Sequence, residues 1–80
     1  MRFSDLRMVK CVRVSPRGNC VGVACDAGFF IYAAPMGGIN EEPMAIFNGF
    51  WPKTIEFLNH CVVLLGDDNG VRKEHLSFMV

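Results

Sequence analysis

The strongest constraint on this chain is that part of it occurs twice. Asp26-Ala27-Gly28 returns as Asp68-Asn69-Gly70, 42 residues later. Cys20 and Val62 correspond at the same spacing, and Val14 and Phe57 correspond at 43. The spacing changes because the first turn of the second unit is one residue shorter. Each unit reads strand, turn, strand, Asp-x-Gly, strand. A repeat of this length is one supersecondary unit that cannot bury its apolar face alone, so it stacks on a neighbour.

The strands follow from alternation and β-branched content. Val9-Lys10-Cys11-Val12-Arg13-Val14 is the first. In Ser15-Pro16-Arg17-Gly18-Asn19 the proline presets φ, and Gly or Asn takes a positive φ, which makes a turn. Cys20-Val21-Gly22-Val23-Ala24-Cys25 is apolar on both faces, as in a strand buried on two sides. Its Cys20, Gly22, Ala24 face is small and predicts close approach of another sheet. Asp26-Ala27-Gly28 turns into Phe29-Phe30-Ile31-Tyr32-Ala33. A loop over 35–43, with a solvated Glu41-Glu42 tip, leads to a short outer strand, Met44-Ala45-Ile46-Phe47. Residues 48–53 turn through Trp51-Pro52. Then Thr54-Ile55-Glu56-Phe57-Leu58, the turn Asn59-His60 and the strand 61–65 restart the pattern. Asp67-Asp68-Asn69-Gly70 predicts a type I′ hairpin. From Val71 a third strand carries the charged run Arg72-Lys73-Glu74-His75. No segment has a helical period. The expected fold is all-β, built of antiparallel β-propeller-like blades. Residues 1–80 form a single partial propeller segment, with one complete blade over 9–47 and part of a second over 54–80.

Composition narrows the function. Among 80 residues, 51% are hydrophobic and 20% charged, which argues against disorder. The formal net charge is zero, so nothing favours nucleic acid as a partner, and non-specific adhesion to anionic membranes is weak. No apolar run approaches the roughly 20 residues of a membrane-spanning helix. Met1-Arg2-Phe3-Ser4-Asp5 leads into no apolar signal region, so a cytoplasmic location is expected.

Chemistry-bearing residues are few. Cys11, Cys20, Cys25 and Cys61 show no CxxC spacing and read as small buried hydrophobes. His60 and His75 have no HExxH context; His60 reads as a solvated turn residue. The adjacent acids Asp67 and Asp68 lack the alternating ligands of a calcium loop and read as a turn. Ser15 and Ser77 sit in no G-x-S-x-G motif. Gly18, Gly22 and Gly28 precede no helix that would make a phosphate loop. No catalytic, cofactor-binding or metal residue is assigned, and the chain reads as a non-enzyme with no cofactor. Phe47, Phe50 and Trp51 around Gly49 read as a plug packed between blades, with a binding patch as the alternative.

The run "VKCVRVSPRGNCVGVACDAGFFIYAAP" resembles a WD-repeat blade, although the Gly-His and Trp-Asp signatures are missing. A narrower resemblance is to the PROPPINs, phosphoinositide-binding propellers of autophagy. Asn19-Cys20-Val21-Gly22-Val23-Ala24, Gly28-Phe29-Phe30-Ile31-Tyr32 with Pro35, and "IEFLNHCVVLLG" over 55–66 look like their opening blades. The likeness covers about residues 9–70 and consists largely of general blade residues. Ser15-Pro16 stands where Asn-Gln often begins the first turn, and the Phe-Arg-Arg-Gly lipid motif is absent, so no lipid-binding residue carries over. The resemblance implies a scaffold for protein partners whose parent propeller binds phosphoinositides as a peripheral membrane protein. A closed propeller needs about 4–8 blades. The chain therefore reads as a fragment, a truncated product or part of an inter-chain assembly, with strand edges open to protein partners. The alternatives are a small stand-alone subunit docking those edges on a larger complex, and a Cys/His metal-binding protein.

Overall fold

The computed structural model describes residues 1–77. Its strands are β1 (Cys11–Val14), β2 (Cys20–Cys25), β3 (Gly28–Ala33), β4 (Pro43–Phe47), β5 (Thr54–Asn59), β6 (Val62–Asp67) and β7 (Gly70–His75). They form two antiparallel sheets, ordered β1-β2-β3-β4 and β5-β6-β7. Short 3-10 turns occupy Phe3–Asp5 and Pro35–Gly37. The fold is all-β, and the expected strands are present with bounds shifted by one or two residues. Residues 78–80 of the expected second unit lie outside the described residues.

One turn differs from expectation. An Asn-Gly type I′ turn needs positive φ at both Asn69 and Gly70. Only Gly70 has it, at 118°, and Asp67 pairs with Gly70, which makes Asp68 and Asn69 the central residues. The Asp67 carboxylate explains this: its Oδ1 accepts the Asn69 N–H at 2.9 Å, an Asx turn that holds the two central residues at negative φ.

The repeat extends to the register. Val12 pairs with Val23 and Val14 with Val21; Ile55 pairs with Leu65 and Phe57 with Val63. Cys20 pairs with Ala33 and Cys25 with Gly28; Val62 pairs with His75 and Asp67 with Gly70. The first strands therefore correspond at 43 residues and the next two at 42. The missing residue lies in the β5–β6 turn, where the ladder is irregular between Phe57 and Asn59.

The sheets stack face to face, closest where β1 and β2 meet β5. The core between them joins Cys20, Ala24, Phe29 and Ile31 to Ile55, Val63, Leu65 and Leu76. The small face of β2 makes this possible. A Cβ added at Gly22 would lie 2.8 Å from Ile55 Cδ1. The two faces in contact are not equivalent. Val63 and Leu65 correspond to Val21 and Val23, which lie on the opposite face of the first unit in a separate cluster with Cys25, Phe30 and Tyr32. The units are thus stacked head to tail, and the outward face of the second corresponds to the inward face of the first.

The N-terminal segment covers part of the first unit's other face. Phe3 and Leu6 pack on the Val21–Tyr32 cluster, and the Phe3 ring meets Tyr32 edge-on at 5.2 Å. Tyr32 Oη donates to the Met1 carbonyl at 2.8 Å. Burial, the largest cause, pushes the Tyr32 phenol up to about 12. The Glu41-Glu42 tip takes part in holding this segment, contrary to its reading as merely solvated. Glu41 Oε2 accepts the Ser4 N–H at 2.9 Å, and Glu42 pairs with Arg2 at 3.2 Å. The Ser4 N–H holds the Glu41 carboxyl below the usual carboxylate range.

Candidate ligand groove between the two units

Each unit leads into its first strand by the same backbone. Met8 and Trp51, 43 residues apart, have φ of 54° and 55°. Two residues later the Lys10 N–H donates to the Ala24 carbonyl and the Lys53 N–H to the Gly66 carbonyl, each at 2.8 Å. Left-handed backbone costs a non-glycine residue about 1–2 kcal/mol. Here it coincides with large apolar side chains left 64% and 65% exposed. These two residues, the two lysines and the repeat-equivalent Asp26 and Asp68 line one cavity of about 450 Å³, with the buried Pro52 on its wall.

The charges in this groove are equivalent in sequence and unequal in state. Lys53 Nζ lies 2.6 Å from Asp68 Oδ1, and that hydrogen bond raises the lysine above its ordinary range. Among the described residues, the Lys10 and Asp26 side chains make no hydrogen bond or ion pair. One half of the groove is closed on itself, and the other half offers an ammonium and a carboxylate.

A second cluster fixes the Trp51 wall. The Asp67 side chain is only 4% exposed. Its Oδ2 accepts the Phe50 N–H at 2.8 Å and lies 3.6 Å from Arg72 Nη1. The Phe50 N–H, first among its partners, holds Asp67 below the usual carboxylate range. Asp68 N–H donates to the Phe50 carbonyl at 2.9 Å. Arg72 also donates to the Asn48 carbonyl, and its guanidinium lies 5.7 Å from the Phe29 ring centre. The connecting loop is therefore held on the chain immediately before Trp51.

Of the three aromatics expected as a plug, only Phe47 packs against the core. Phe50 and Trp51 are 56% and 65% exposed, with ring centres 6.4 Å apart. The left-handed turn at Trp51 carries its side chain outward. Gly49 takes the inner place, where an added Cβ would meet Phe29 Cε2 at 2.5 Å and Pro52 Cγ at 2.9 Å.

The remaining residues singled out in the sequence do not converge. None of the four cysteines is joined in a disulfide; Cys20 and Cys25 are buried, and burial raises the Cys20 thiol. The Cys11 thiol faces the Ile55 carbonyl at 3.7 Å, and the Cys61 thiol donates to Asn59 Oδ1 at 3.2 Å. His60 is half-buried in the β5–β6 turn. Among the described residues, no three His, Cys, Asp or Glu side chains are grouped as a metal site would need. Sequence reasoning passed over Met8, Lys10 and Lys53. Extending the 43-residue correspondence of Val14 and Phe57 back toward the chain start reaches all of them.

The chain matches no family model, no curated protein and no solved structure.

Proposed function

We propose that the chain is a non-catalytic interaction module, a pair of propeller-type blades that scaffolds contacts with other proteins. The observation that carries this reading is the head-to-tail stacking of two register-equivalent sheets. Such a contact is heterologous: it leaves the second unit's outward face free and the first unit's outward face partly covered by the N-terminal segment, and repetition closes it into a ring when the rotation permits. Two further features support it. The sheets approach most closely along their first strands, as blades do around an axis. The outward face of the second unit carries Leu64 half-buried and Val71 71% exposed, apolar residues for a further unit to cover.

On this reading, the parent is a PROPPIN-like propeller that binds phosphoinositide membranes at a site outside this segment. The test is the intact mass of the protein in its source cell, followed by flotation of the complete polypeptide with vesicles. A mass several times the 8.9 kDa of the chain, with binding to vesicles containing a phosphatidylinositol phosphate, supports the full reading. A large protein that ignores these vesicles restricts it to a protein scaffold. A native mass of 8.9 kDa with no assembly overturns the propeller.

A further inference from the structure

We propose that the groove between the two units binds an extended peptide segment through one large apolar side chain. This rests on the reading of the chain as an interaction module. The apolar anchor site is formed by Met8 and Trp51, both held outward on left-handed backbone. The cavity of about 450 Å³ lies at the small end of the range for ligand sites and suits a single side chain with its flanking peptide groups. Beside it stand Lys10 and Asp26, whose counterparts Lys53 and Asp68 are bonded to each other. A peptide backbone presents a carbonyl and an N–H in alternation, which complements an unpaired ammonium and carboxylate. The Lys10 ammonium donates to the carbonyl, and the Asp26 carboxylate accepts the N–H. The charge balance selects among ligands. Each lysine in the groove is matched by an aspartate, so the four groups sum to zero. Phosphate, a lipid headgroup or a nucleic acid would find no net positive potential there.

Trp51 is the chain's single tryptophan and reports on its own wall of the groove. Short random peptides are selected for binding to the full chain, and a tryptophan-free winner is titrated by Trp51 emission. The expected result is a saturable blue shift, with winners sharing one large apolar residue. Lys10→Gln and Asp26→Asn each weaken binding about tenfold, the effect of losing a hydrogen bond to a charged group. Both residues are exposed and free of side-chain partners, so circular dichroism of the variants stays unchanged. Arg17→Gln, in the distant β1–β2 turn, leaves affinity unaltered. The proposal is overturned if no peptide is enriched over selection on the Lys10→Gln/Asp26→Asn double variant. It is equally overturned if Trp51 emission responds to inorganic phosphate or to vesicles containing a phosphatidylinositol phosphate and not to peptide. Neither result touches the stacking of the units, which the chain mass and the core variants test separately.

Discussion

One methyl group added at Gly22 tests the stacking directly. The added Cβ would lie 2.8 Å from Ile55 Cδ1, 3.2 Å from Phe57 Cε2 and 3.4 Å from Ile31 Cδ1. The first contact is closer than packed carbon atoms tolerate, and Ile55 is fully buried, so it cannot swing into solvent. Overpacking of this kind costs about 1–3 kcal/mol. Ile55→Val removes the Cδ1 that Gly22→Ala would strike. Alone it leaves a small void and costs about 0.5–1.5 kcal/mol. Together the two changes exchange one methyl for another across the contact. The double variant is therefore more stable than the sum of the single losses by about 0.5–3 kcal/mol, the range for residues in contact. The assay is urea denaturation at constant m, with thermal unfolding as a check. Each kcal/mol moves the midpoint by about 4–8 °C in a domain of this size. Additive losses would mean that Gly22 and Ile55 do not touch, and the face-to-face packing of the sheets would be refuted.

Other expectations follow from the same contacts. Gly49→Ala destabilises more than Gly22→Ala, because its Cβ meets the Phe29 and Pro52 rings, which have no flexible end to yield; denaturation midpoints rank the two. Asp67 has its folded pKa depressed, so its contribution is present above the ordinary aspartate value and lost as pH falls through the folded one. Stability measured by urea midpoint should decline below about pH 4, and Asp67→Asn should flatten that decline while lowering stability at neutral pH. Lys73 is exposed on β7, whose far edge has no strand partner among the described residues. Lys73→Val removes a charge of the kind that blunts sheet edges, so light scattering should detect concentration-dependent association that the parent chain lacks.

The strands were legible because their apolar residues alternate and their turns are marked by Ser-Pro-x-Gly and Asp-x-Gly. The closeness of the sheets was legible in Cys20, Gly22 and Ala24, since a small face on a doubly buried strand has no other physical use. The turn at Asp67 was misread because Asn-Gly reports backbone preference alone; the competing Asx hydrogen bond depends on which way the Asp67 carboxylate faces. The groove was hidden for a different reason. Asp26 and Asp68 correspond at 42 residues, while Lys10 and Lys53 correspond at 43. No single offset brings all four together; the short β5–β6 turn must be placed first. The fate of Trp51 was not written locally either, since a left-handed tryptophan is stable only when the surrounding loop is tied down.

That tie depends on two positions at which the two units differ. At the 42-residue spacing, Arg72 stands where the first unit has Phe30, and Asp67 where it has Cys25. In the first unit these positions are apolar and lie in the cluster that the N-terminal segment covers. In the second unit the equivalent face meets the first unit instead. Arg72 lies over Phe29 and reaches the Asn48 carbonyl, while Asp67 receives Phe50. Two packing positions have become a clamp on the chain between the sheets. The Arg72 side chain is 41% exposed, so its contact with the buried Phe29 ring contributes about 0.5–1 kcal/mol, no more than the packing it replaces. Stability alone therefore does not account for the exchange. What the clamp adds is direction: it holds the loop so that Trp51 projects beside Met8, and it makes one wall of the groove a consequence of how the two units join.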